Sequence, residues 1–262
     1  ACMQTHGYGP ANSDPSHRDP SQTDMHYQGM VYLAYGIKHL SYWKYSSSES
    51  VGAERHNLGA IDLDGNTTPV YDRMKAVNPI LHTVGEKIYN CDAKEVYIAG
   101  PNNYGHASVP AEFFAQPANS DQSMLLSYLK DKDTGRNYLM VVNNDLVNAI
   151  SAPINFASGI SSVEMLDNNT GKWSEVNTNR TYYLSLQAGG AALFALPEDY
   201  RYSEAKEEEP ANVFYHKTVY GNSSLGTPGT RDDKLPGWYL SCLTDGYIKA
   251  NSGLGLNGWC SE

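Results

Sequence analysis

Leu40-Ser41-Tyr42-Trp43-Lys44-Tyr45 is the stretch on which the fold of this chain turns. It is short, aromatic and bounded by polar residues, and it follows a segment of a different period. In that segment Tyr27, Met30, Val31, Ala34 and Tyr35 recur at i, i+3, i+4, i+7 and i+8, which makes one apolar helix face. Ser21 or Thr23 can cap the helix, Asp24 lies in its first turn, and Gly36 suits the position just past its end. The pattern predicts a helix up to Gly36 and a strand over residues 37–45. Upstream, residues 3–6 predict a short strand, and residues 7–20 a loop rich in Gly, Pro, Asn, Asp and Ser. Strand, loop, helix, strand is a β/α unit, in which the loops after strands carry function.

Downstream, a Ser-rich loop over residues 46–58 leads to a tight turn at Asp64-Gly65-Asn66. Thr68 is a cap with Pro69 at the first helical position, and Val70, Met74, Val77, Leu81 and Val84 keep a helical period up to Gly85. Pro79 predicts a kink in that helix. From residue 95 to 196 the period becomes that of strands, with candidates at 96–99, 124–130, 137–143, 152–156, 162–167, 172–176, 181–186 and 191–196. Turns such as Asp131-Lys132-Asp133-Thr134-Gly135 and Asp167-Asn168-Asn169-Thr170-Gly171 separate them, which indicates an antiparallel β-sandwich. The expected class is α+β with several domains: residues 1–90 in β/α units, 91–197 a sandwich, 198–212 a charged linker, and 213–262 an irregular tail. The linker's acidic run, Glu207-Glu208-Glu209, reads as a solvated spacer. The tail has too few apolar runs to bury a core of its own and looks cut off.

Composition narrows the partners. Only 18% of the 262 residues are charged, while Tyr (20) far outnumbers Phe (5). Tyr joins apolar area to a hydroxyl, which suits β-rich surfaces that bind sugars; the plainer reading is a core that simply uses Tyr. A net charge of −10 argues against nucleic acid and anionic membranes as partners. No apolar run reaches membrane-spanning length, and the N-terminus lacks the features of a signal peptide, reading instead as a strand entered mid-protein. Cys2, Cys91, Cys242 and Cys260 are too dispersed for a disulfide scaffold; a Cys242–Cys260 bridge would fit an extracellular setting, and four free thiols are the alternative.

Taken together, Gln4-Thr5-His6, the run from Tyr27 to Tyr45, Gly59-Ala60-Ile61-Asp62-Leu63-Asp64-Gly65 and Thr68-Pro69-Val70-Tyr71 resemble the last quarter of a (β/α)8-barrel glycoside hydrolase of the β-galactosidase-like group, family 42 and its relatives. In such enzymes a β-sandwich follows the barrel, and Tyr138–Asn143 and 192–196 resemble its inner and final strands. The segment from Gly237 to Ser261 resembles the opening of a discoidin-like carbohydrate-binding module. The resemblance implies a secreted bacterial enzyme without cofactor, of which this chain is the C-terminal portion with two β/α units. About six units of the barrel would then be missing, and the missing portion would be a partner. It implies an indole floor for a sugar at Trp43, around which Tyr42 and Tyr45 alternate along the strand; Gln4 and His6 share one strand face and are candidates to hydrogen-bond sugar hydroxyls. The acid/base carboxylate would lie in the missing part, and the strand that should carry the nucleophile offers no Glu. The chain alone would then be inactive.

Glycosidases need two carboxylates across the scissile bond. Glu49 and Glu54, in the loop after the Trp43 strand, are the catalytic candidates in this chain, with plain solvation as the alternative; Asp62 and Asp64 read as turn residues. On a continuous strand Tyr42 and Lys44 share one face and Trp43 and Tyr45 the other; packing of Trp43 under the helices is the competing possibility. Trp238, Tyr239 and Trp259 of the tail are sugar-site or core residues. His17, His26, His39, His56, His82 and His106 show no ligand spacing, so no metal is expected, and no G-x-S-x-G supports a serine nucleophile. Two other architectures compete. One is a non-catalytic sandwich that binds sugar through a coplanar row of Tyr128, Tyr138, Trp173 and Tyr182. The other has the first ninety residues packed on the sandwich as two helices with a short parallel strand pair.

Overall fold

A strand covered on both faces carries apolar residues at every position instead of every second one. Residues 124–129 and 139–142 have that character, and they form the middle of the structure. The computed structural model describes residues 1–10, 17–50, 54–101, 106–119, 121–178 and 181–203. Along them run β1 (Cys2–Gln4), β2 (Tyr8–Pro10), α1 (Gln22–Ala34), β3 (Ser41–Trp43), β4 (Glu54–His56) and α2 (Pro69–Ile88). They are followed by β5 (Cys91–Ala99), β6 (Ala115–Pro117), β7 (Met124–Asp131), β8 (Asn137–Asn143), β9 (Ile150–Phe156), β10 (Ser162–Leu166), β11 (Trp173–Asn177), β12 (Thr181–Leu186) and β13 (Ala191–Ala195).

A six-stranded antiparallel sheet, ordered β11-β10-β13-β8-β7-β5, has a core on each side. Leu125 and Leu129 of β7, Met140 and Val142 of β8 and Leu193 of β13 join Met30 and Leu33 of α1 and Val77, Leu81 and Val84 of α2 in the first core. The residues between them, Met124, Leu126, Tyr128, Leu139, Val141 and Phe194, belong to the second. There they meet Ile150, Ile154 and Phe156 of β9 and Leu184 and Leu186 of β12, in a three-stranded sheet ordered β12-β9-β6. The expected antiparallel sheets are therefore present, and the two helices pack on the outside of the larger one, with a short parallel pair β1–β3 beside them. Residues 1–204 form one compact unit. The linker beyond Ser203 and the tail, with Trp238, Tyr239, Trp259, Cys242 and Cys260, lie outside the described residues.

Several expectations change. The strand expected over residues 37–45 contracts to Ser41–Trp43. Residues before it continue the helix exit: Gly36 takes a left-handed φ of 78° and the Ile37 amide donates to the Tyr32 carbonyl at 3.0 Å. Helix α2 runs unbroken through Pro79, which lies on its exposed face, where the Lys75 carbonyl freed by the missing amide can meet water. The buried row Val70, Met74, Val77, Leu81, Val84 and Ile88 anchors both halves. The coplanar aromatic row is absent. Tyr128 is fully buried and donates to Asn137 Oδ1 at 2.9 Å, Tyr138 and Trp173 pack on the first core, and Tyr182 on the second.

Helix α1 is also tied to the sandwich by polar contacts. Ser127 Oγ donates to the Ala34 carbonyl at 2.6 Å, Tyr27 Oη bonds Asn144, and His26 Nδ1 lies 3.1 Å from the Gly189 carbonyl. Burial lowers the His26 pKa against the opposing pull of that carbonyl. The unfolded chain therefore binds a proton that the folded one refuses, and stability drops as pH falls through the unfolded value of about 6.5 toward the lower folded value. A His26→Gln variant should lose less stability than wild type between pH about 8 and about 5, measured by urea unfolding. Parallel pH dependences in the two proteins would refute this.

Candidate functional site

The parallel pair β1–β3 is joined by α1 and brings two strand ends together, with Cys2 opposite Ser41, Met3 opposite Tyr42 and Gln4 opposite Trp43. Just past the ends, the Thr5 amide donates to the Trp43 carbonyl and Thr5 Oγ1 to the Lys44 carbonyl, both at 2.9 Å. The Trp43–Lys44 peptide is cis. Strand β3 ends at Trp43, so the alternation expected through Tyr45 does not continue. Tyr42 is half-buried against the first core and its hydroxyl bonds Asn78 of α2. Trp43 is 56% exposed and Tyr45 50% exposed. Trp43 is thus an indole presented to solvent, not one packed beneath the helices.

Gln4 and His6 sit beside it in other roles. The Gln4 amide donates to the His6 carbonyl at 3.1 Å and the Arg18 carbonyl at 2.8 Å, and the Gln4 backbone N–H is met by Gln28 Oε1 at 2.9 Å. His6 is fully buried, with Nδ1 3.3 Å from the Trp43 carbonyl. Burial lowers its pKa, Lys44 and His56 add to that, and the Trp43 carbonyl and Asp19 oppose it.

Around His6 the chain reverses at Gly7, where a Cβ would come within 2.8 Å of the His17 carbonyl oxygen and 2.9 Å of the Asn57 amide. Asp19 holds the reversal: its carboxylate accepts from the Gly7 amide at 2.6 Å and from Asn57 Nδ2 at 2.8 Å. Strands β2 and β4 then pair antiparallel with Tyr8 opposite His56. His6 Nε2 lies 3.3 Å from His56 Nδ1, and the Tyr8 and His17 rings stack with centroids 4.2 Å apart. Histidines that look scattered in sequence are therefore gathered at the strand ends. Only the i, i+2 spacing of His6 and Tyr8 hinted at this; the rest depends on a contact fifty residues long. Next to the cluster Arg18 grips Asp24 with both terminal guanidinium nitrogens, at 2.5 and 2.7 Å. Burial pushes the Asp24 carboxyl up, but Arg18 and the Ser21 cap outweigh it and hold it low.

Glu49 is exposed in the loop after β3, and Glu54 opens β4 with its side chain outside the described residues. Asp62 takes the turn role, its Oδ1 accepting from the amides of Asp64 at 3.0 Å and Asn66 at 2.7 Å. Among the described residues no three His, Cys, Asp or Glu side chains form a metal cluster, and no helix is long and apolar enough to cross a membrane.

No protein-family model and no curated protein matches the sequence. Among solved structures the chain is similar to a candidate α-galactosidase of Bacteroides fragilis, with 10% identity, TM-score 0.36, and 68% of this chain aligned to 29% of that one. It is similar to a candidate α-N-acetylgalactosaminidase of Bacillus halodurans, with 8% identity, TM-score 0.40, and coverage of 76% and 37%. A GH27 β-L-arabinopyranosidase of Geobacillus stearothermophilus aligns with 10% identity, TM-score 0.36, and coverage of 78% and 38%. The chain thus spans between 29% and 38% of the length of these three structures.

Proposed function

We propose that this chain is the C-terminal portion of a secreted glycoside hydrolase, with β1–α1–β3–α2 as the last two units of its barrel and β5 to β13 as the following sandwich. The observation that carries this reading is the parallel β1–β3 pair, which delivers a half-exposed Trp43 to the strand ends next to a similarly exposed Tyr45. A flat indole held at its backbone and open on its ring is suited to stack on the apolar face of a sugar. Gln4 and His6, both engaged with main-chain carbonyls, support the floor from behind, and Tyr42 anchors it to α2. The catalytic carboxylates come from the rest of the barrel, with Glu49 and Glu54 as the only contribution of this loop.

Two strands make a marginal sheet, and an open edge invites another strand. No described strand lies beyond β3, and an open groove of about 800 Å³ adjoins it, lined by Leu33, Leu40, Tyr42, Leu81 and Ile88 among others. Both features suit a further β/α unit as the partner.

The test joins binding to turnover. The purified chain should bind an oligosaccharide from a glycan panel and hydrolyse none of a panel of nitrophenyl glycosides. Trp43→Ala should weaken that binding about tenfold or more, equivalent to about 1.4 kcal/mol, and Tyr45→Ala by less. Unchanged binding in Trp43→Ala would sink the sugar floor. Robust turnover lost in Glu49→Gln or Glu54→Gln would show instead that the chain holds its own catalytic carboxylates.

A further inference from the structure

We propose that His6 and His56 form a two-imidazole chelate for a transition-metal ion of the zinc and copper class, bound through His6 Nε2 and His56 Nδ1. This site is independent of the carbohydrate reading. The two nitrogens face each other at 3.3 Å. Metal–imidazole bonds of about 2.0–2.1 Å meeting at a tetrahedral angle place their nitrogens about 3.3–3.4 Å apart. The observed spacing is thus already that of two ligands on one ion.

The protonation pattern around His6 points the same way. Its Nδ1 lies 3.3 Å from the Trp43 carbonyl, which can only accept a hydrogen bond. The ring proton therefore sits on Nδ1, and Nε2 turns its lone pair toward His56, the same tautomer that a carbonyl on the far ring nitrogen fixes in metal-ligating histidines. In one tautomer His56 Nδ1 donates a hydrogen bond to that lone pair. In the other it presents a second lone pair to the same space, and a metal ion selects that state with a small rotation of the rings.

Both ligands are held before any ion arrives. His6 follows Thr5, which is clamped to β3 through its amide and hydroxyl. His56 lies in β4 opposite Tyr8, with its own amide bonded to Ser50 Oγ at 3.1 Å. Ligands fixed by strand pairing lose little freedom on binding. No third His, Cys, Asp or Glu among the described residues completes the set, so the remaining positions fall to water or an added ligand.

The experiment is a titration of the full chain with Cu²⁺ alone and with Zn²⁺ alone, read by calorimetry, with electron paramagnetic resonance on the copper form. One equivalent should bind, with nitrogen coupling in the copper spectrum. Affinity should fall at least about tenfold in His56→Ala and in His6→Gln, and stay unchanged in His82→Ala and His39→Ala. Because His6 is buried, circular dichroism checks that each variant is folded, and the less buried His56→Ala decides the result if His6→Gln is not. Absence of saturable binding, or binding that a folded His56→Ala retains in full, would overturn the site.

Discussion

Phe194→Ala should cost about 3–5 kcal/mol of folding stability, the range for removing a fully buried aromatic side chain. Phe194 has no exposed surface and lies on β13, between β8 and β10 in the middle of the larger sheet. Its ring meets Phe156 and Tyr182 edge-on, at 6.1 and 5.7 Å between centroids, so one truncation breaks two aromatic contacts that bridge the sheets. Strands paired on both sides of β13 hinder collapse into the vacated space. Urea unfolding of the two proteins measures the difference; a change below about 1 kcal/mol would mean that the second core is far more adaptable than its packing implies.

Gly100→Ala is the second large effect. Gly100 ends the run from β5 with φ at 87°, and a Cβ placed there falls far inside contact distance of the Gln122 carbonyl group and the Ser123 Cα. Those are backbone atoms, which cannot swing aside as a side-chain tip can. The left-handed conformation alone costs an ordinary residue about 1–2 kcal/mol, and the collision adds to it. Gly135→Ala separates the two contributions, because Gly135 has φ at 70° with nothing within 4 Å of the added carbon. Gly135→Ala should therefore cost only the conformational part, about 1–2 kcal/mol, and Gly100→Ala clearly more. Equal losses in thermal or urea unfolding would show that backbone approach at Gly100 carries no weight.

The sandwich was legible because its local chemistry and its tertiary role agree. Asp131 and Asp167 each accept from backbone amides two and three residues on, and Gly135 and Gly171 each take φ of 70°, so both hairpins were written in their turn residues. The helices were legible from their buried rows. What failed was anything set by distant pairing. An aromatic run looks like a long strand, but β3 extends only as far as its three-residue match with β1. Strands β2 and β4 hide in loops of polar composition and exist because Gly7 and Asp19 turn one toward the other. Trp43 was open in sequence between a sugar floor and packing under the helices, and its exposure removes the second, whereas the gathering of His6, His17 and His56 around Tyr8 was not visible at all. Tyr128 misled in the opposite sense: a hydroxyl suggests the surface, yet Asn137 satisfies it at the centre of the core.

The sharing of alternate residues of one sheet between two cores limits how this fold can change in length. Gaining or losing a single residue within β7 or β8 would exchange inward and outward side chains on that strand, corrupting both cores at once. Natural variation in length is thereby steered to the hairpin tips at residues 131–135 and 167–171, where Asp and Gly define the turn and little is buried. The central strands should drift in side-chain identity across descendants of this sequence while their residue count stays fixed.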